Sequence, residues 1–140
     1  MKTKIELFGY QENNFMNYPG ERGWGNGYVL IPKGHPYLIH QLLTDLDPYG
    51  YLSIPDFHQE ITFNEWTKDN EYWKIGFDTN HRYNNSTHDK QWVTKQCEEL
   101  KAIIDNYTFE EGNILIDHYI QNKADMYNRL REKYNNTQNK

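Results

Sequence analysis

From Asp89 onward the chain spaces its apolar residues for a helix, and that stripe limits what the preceding residues can form. Trp92, Val93, Cys97, Leu100, Ile103, Ile104 and Tyr107 recur at helical intervals. Asp89 stands where a carboxylate can accept from the first free amides, so it reads as the N-cap. A helix with one apolar stripe must bury it against something. The residues ahead of it supply a sheet. Thr3 to Tyr10 reads as a strand, with Ile5 and Leu7 alternating against Lys4 and Glu6. "GYVLIP", Gly27 to Pro32, is dense in β-branched and aromatic residues and closes on proline. Gly50 to Phe63 reads as extended chain interrupted at Pro55, with Ile61 and Phe63 in a short strand. Glu71 to Asp78 is a further strand holding Tyr72, Trp73, Ile75 and Phe77. Tyr37 to Asp45 is ambiguous, although Leu38, Leu42 and Leu43 share one helical face. The connections are mostly too short for helical crossovers, so the sheet should be antiparallel or mixed. The expected fold class is α+β: four to five strands covered by one amphipathic helix, plus a long C-terminal helix.

That last helix is expected from a cap at Asn113 to about Tyr134. Its stripe is Ile116, Ile120, Ala124, Tyr127, Leu130 and Tyr134. Docking within the chain is the first expectation for it, and a homodimer or higher oligomer through paired helices the second. The organisation is then an α+β ligand-binding domain over 1–107, a docking or oligomerisation helix over 108–134, and a disordered tail over 135–140. A length of 140 residues fits one domain.

Composition narrows the function. The net charge is −5 and the lysines and arginines are scattered, which argues against a duplex nucleic acid partner. A small nucleotide stays open, because one or two arginines can hold a phosphate. No run approaches a membrane span and no signal peptide is evident, so a soluble, cytoplasmic protein is expected. Cys97 is the single cysteine and sits on the apolar helix face, where it reads as core rather than nucleophile. No G-x-S-x-G, H-E-x-x-H or paired C-x-x-C occurs.

Three polar corners are candidate sites. The strand exit "DTNHR" puts Asp78, His81 and Arg82 together, which suits an imidazole oriented by a carboxylate. His88 or His35 could complete a metal set; a plain polar turn fits equally well. "GERGWGNGYV", from Gly20 to Val29, has glycines whose amides could crowd an anion, with Arg22 as a phosphate fork and Trp24 as a stacking face. A hairpin loop is the simpler alternative. Lys33-Gly34-His35-Pro36 is a ligand corner or an ordinary turn. Asp45 and Asp47 are paired carboxylates or ordinary turn residues. His40, His58 and His118 have no evident partners.

"NGYVLIPKGHP", "YWKIGFDTNH" and "WVTKQCEELKAII" occur in that order. Together they resemble a family of small accessory proteins of tailed bacteriophages over roughly Asn26 to Tyr107. The resemblance implies recurrent polar positions at His35, Asp78 and His81. Asn84 stands nearest to where that family carries an acid after the histidine, which turns the reading from a metal site toward binding. Small phage proteins of this kind act against host defence. The implied function is capture of a nucleotide-derived immune messenger, a cyclic nucleotide or ADP-ribose derivative, in the host cytoplasm, with no cofactor and no metal. Arg22 and Arg82 would fork phosphates; Trp24, Tyr28, Trp73 or Tyr83 would stack a base; Asp78 would accept ribose hydroxyls; Lys33, His35 and His81 would complete the pocket. The Gly-rich loop would act as its lid. Two alternatives are a phosphodiesterase using Asp78 and His81, and a protein–protein inhibitor of a host enzyme.

Overall fold

The computed structural model describes residues 2–13, 22–46, 57, 59–119 and 124–138. The expected extended run before residue 57, together with Gly20, Asp47, His58 and Ile120, lies outside them. So do the side chains of His118, Ala124 and Tyr127.

Four strands form one antiparallel sheet: β1 (Lys4–Gly9), β2 (Gly25–Pro32), β3 (Phe63–Trp66) and β4 (Tyr72–Phe77), in the order β1-β2-β4-β3. This is the expected α+β architecture. Glu6 lies opposite Tyr28, Val29 opposite Ile75, and Phe63 opposite Gly76. Strand alternation then divides the side chains between two faces. Val29, Ile31, Trp73, Ile75 and Phe77 point to one face and are fully or almost fully buried. Helix α2 (Lys90–Asp105) covers that face with Val93, Cys97, Leu100 and Ile104. Each such side chain stabilises the fold by roughly 2 kcal/mol. Asp89 caps the helix as expected, its carboxylate accepting from the Trp92 amide at 2.9 Å. The helix approaches closely because β2 has no side chain at Gly27, where a Cβ would stand 2.4 Å from Cys97 Sγ.

A second cluster forms beyond the end of β2. Pro36–Leu38 makes a 3-10 turn that leads into α1 (Ile39–Leu46), so the ambiguous segment is helical. His40 is not incidental: its ring stacks on Tyr37 at 4.3 Å and meets Tyr107 edge-on at 5.4 Å.

The expected single C-terminal helix is two helices, α3 (Phe109–Tyr119) and α4 (Ala124–Gln138). The first starts ahead of Asn113 because Thr108 provides the cap. Its hydroxyl accepts from the Glu111 amide at 3.1 Å and bonds the Glu111 carboxylate at 3.2 Å, a Thr-x-x-Glu capping pattern. Asn113 lies inside the helix, and its side chain donates to the Phe109 carbonyl. Ile116, Leu130 and Tyr134 pack with Ile39 and Leu42, so these members of the apolar stripe dock within the chain. The Tyr134 hydroxyl donates to the Pro36 carbonyl at 2.7 Å, and Arg131 joins the two helices through Asn113 and Asp117. Anchored there, α4 runs on to Gln138, through residues expected to be tail. Among the described residues no helix is long and apolar enough to cross a membrane.

Candidate functional site

The strand exit after β4 is a chain of local hydrogen bonds. Asp78 Oδ1 accepts from the Asn80 amide at 2.9 Å, and Oδ2 accepts from the Thr62 hydroxyl at 2.9 Å. His81 Nδ1 stands 3.0 Å from Asp78 Oδ1, with no aligned hydrogen-bond partner at that buried nitrogen. The pair is therefore a close contact rather than an aligned hydrogen bond. The buried Asn84 closes the turn in both directions: its Oδ1 accepts from the His81 amide at 2.9 Å, and its own amide donates to the His81 carbonyl at 3.0 Å. His88 Nδ1 accepts from the Asn85 amide and its ring meets Trp92 edge-on. Among the described residues no three His, Cys, Asp or Glu side chains form a group that could hold a metal.

The segment from Arg22 to Gly25 lies against this exit. The Gly23 amide donates to the Thr79 carbonyl at 2.9 Å, and the Trp24 amide to the His88 carbonyl at 2.8 Å. The Gly25 amide donates to the Thr79 hydroxyl at 3.1 Å. These three amides are consumed, so they are not a nest for an anion, contrary to the expectation from the glycines. Nor is the stretch from Arg22 a free lid, because these bonds tie it to the exit.

The structure brings Arg22, Trp24, Asp78, His81, Arg82 and Tyr83 to one end of the sheet. Arg82 is exposed, Tyr83 is 63% exposed, and its ring stacks on His81 at 5.1 Å between centroids. The Trp24 ring packs over Gly9, with Lys90 Nζ at 5.6 Å from its centroid. Lys90 also begins the wall of an open pocket of about 700 Å³ along the outer stripe of α2, continued by Gln91, Thr94, Lys95 and Glu98.

The remaining candidates are elsewhere. In an antiparallel pair the end of one strand lies beside the start of the other. The turn after β2 therefore sits at the opposite end of the sheet from the turn after β4. The Lys33 amide accordingly donates to the Glu71 carbonyl, ahead of β4. From the Gly27–Phe77 pair to the Pro32–Tyr72 pair is roughly 17 Å. His35 is thus not the opposing wall of an Asp78–His81 pocket. It is buried, its Nδ1 accepts from the Tyr37 amide at 3.1 Å, and Nε2 faces Asp105 at 4.0 Å. Burial lowers its pKa, partly offset by Asp105. Trp73 is a core residue, 2% exposed. Tyr28 lies on the face away from α2, under Lys74 Nζ at 4.3 Å and against the edge of Phe63, so its ring is already occupied.

Thr79 escaped sequence reading. It is fully buried and bonded to both flanking segments. A threonine between an aspartate and an asparagine carries no pattern that announces this. No protein-family model, curated protein or solved structure matches the chain.

Proposed function

We propose that this protein binds a nucleotide-derived small molecule at the end of the sheet formed by Arg22–Trp24 and Asp78–His88, and acts by holding it. The observation that carries this reading is the exposed Arg82–Tyr83 pair on a loop fixed by its own hydrogen bonds. A guanidinium next to a flat aromatic face suits a phosphate joined to a base. The loop is already ordered, so little entropy opposes binding. Lys90, which also lies over the Trp24 ring, and Lys95 line the neighbouring pocket along α2 together with Glu98. With the phage resemblance, the ligand class becomes a host immune messenger, a cyclic nucleotide or ADP-ribose derivative, and the setting the infected cell. Incubating the protein with cyclic dinucleotides and ADP-ribose, then releasing bound material by heat, should return intact ligand. The absence of any nucleotide bound tighter than about micromolar would end this reading.

The 3.0 Å contact of His81 with Asp78 favours a second reading, phosphodiester hydrolysis with His81 as the base. Both Asp78 oxygens are held by other donors, which suits a rigid binding loop better. Recovery of cleaved ligand after prolonged incubation would favour hydrolysis over binding.

A further inference from the structure

We infer that Thr79 is a positioning residue of this site, a buried group that holds its two halves in register. The inference rests on the binding reading above for its functional consequence, and on geometry for the rest. Thr79 uses every polar atom it has. Its hydroxyl donates to the Gly25 carbonyl at 2.8 Å and accepts from the Gly25 amide at 3.1 Å. Its carbonyl accepts from the Gly23 amide at 2.9 Å, and its amide donates to the Tyr10 hydroxyl at 3.3 Å. Tyr10 passes the connection on, donating to Asn26 Oδ1 at 2.5 Å, while Asn26 Nδ2 donates to the Tyr28 hydroxyl at 2.8 Å.

One buried residue thus ties the end of β1, the entry to β2 and the exit of β4. The hydroxyl bonds replace the ladder pairing that ends at Gly27–Phe77. They let β2 and β4 diverge there without leaving buried backbone groups unpaired. The fit is tight: a Cβ on Gly23 would stand 2.3 Å from the Thr79 Cβ and hydroxyl oxygen. Arg22 and Trp24 flank Gly23, and Asp78 precedes Thr79 with His81 shortly after. Their relative placement is therefore set through this residue, which itself touches no ligand.

Thr79→Val keeps the shape and removes the hydroxyl; Thr79→Ser keeps the hydroxyl. Amide hydrogen exchange would be followed at Gly23, Trp24 and Gly25, with Val29 as the reference in the sheet. Binding would be measured with ADP-ribose and a cyclic dinucleotide as probes. The expected result for Thr79→Val is at least tenfold faster exchange at Gly23 and Gly25, unchanged protection at Val29, and at least tenfold weaker probe binding. Thr79→Ser should restore both. Unchanged exchange in Thr79→Val overturns the positioning role whatever the probes do. Faster exchange with unaltered probe binding also overturns it, because the register would not matter to the site. If wild type binds neither probe, the binding reading fails, while exchange still decides whether Thr79 holds the segments together. Should Thr79→Val not fold, Tyr10→Phe keeps the Thr79 hydroxyl and removes the acceptor of the Thr79 amide together with the donor to Asn26. It should produce a smaller change of the same kind, and no change at all would count against the inference.

Discussion

His40 makes the fold sensitive to mild acid. It is stacked on Tyr37 and edge-on to Tyr107, and burial pushes its pKa down from the ordinary value to about 4. In the unfolded chain it titrates near 6.5, so as the pH falls the unfolded state takes up the proton first. The stability this residue contributes is complete above about pH 6.5 and is lost as the pH falls toward about 4. A shift of that size, at about 1.4 kcal/mol per pH unit, corresponds to about 3 kcal/mol. That is a sizeable part of the roughly 5–15 kcal/mol by which a domain is stable. Burial also lowers the pKa of His35, which adds loss in the same direction. At Asp105, partial burial pushes the carboxyl up, but hydrogen bonds from Lys101 and Thr3 outweigh it and hold the pKa below the usual value. Its contribution is lost only at lower pH, outside the window. Urea unfolding followed by tryptophan fluorescence from pH 7.5 to 4.5 measures the curve. His40→Phe keeps an aromatic ring in the stack and removes the titration, so it should lose markedly less stability across that range. Parallel curves for wild type and His40→Phe would refute the reasoning.

Other consequences follow from the packing. Burial pushes the Cys97 thiol up to about 12, so a thiol reagent at neutral pH should label it only as fast as the fold opens; rapid labelling of the native protein would contradict its place under α2. Gly27→Ala drives a Cβ into Cys97 and Phe77 and should destabilise by about 1–3 kcal/mol, read as a lowered urea midpoint. Thr108→Ala removes the α3 cap and should cost about 1 kcal/mol by the same measurement.

Much of the fold was legible because its signals are local. The alternation in β1, the β-branched run of β2 and the Asp89 cap each report on their own neighbourhood. The split of the C-terminal region was not read, although Thr108 and Glu111 carried a cap three residues apart. The apolar stripe by itself points to a start at Asn113 instead. The site was legible as a location but not as an arrangement. Asp78, His81, Arg82 and Tyr83 are sequence neighbours, and their shared turn follows from that. Placing His35 opposite them failed for a topological reason that an antiparallel sheet already implies, since exits from β2 and β4 lie at opposite ends. In sequence the glycines of the Gly20–Val29 stretch suggest conformational freedom; Gly20 lies outside the described residues. Their observed role is close approach, to Thr79 at Gly23 and to Cys97 at Gly27. Thr79, Asn84 and His40 act through partners distant in sequence or through turn geometry, and residue type alone does not disclose such roles.

The central claim is that the exposed Arg82–Tyr83 end of the sheet binds a nucleotide. Titration calorimetry of wild type, Arg82→Ala/Tyr83→Ala and Lys33→Ala with ADP-ribose and a cyclic dinucleotide tests it most directly. All three altered positions are exposed, so the fold should be kept in each variant. The account predicts wild-type binding of at least one ligand at about micromolar Kd or tighter, at least tenfold weaker binding in the double variant, and no change in Lys33→Ala at the far end. Equal binding by wild type and the double variant, or binding lost in Lys33→Ala instead, would contradict it.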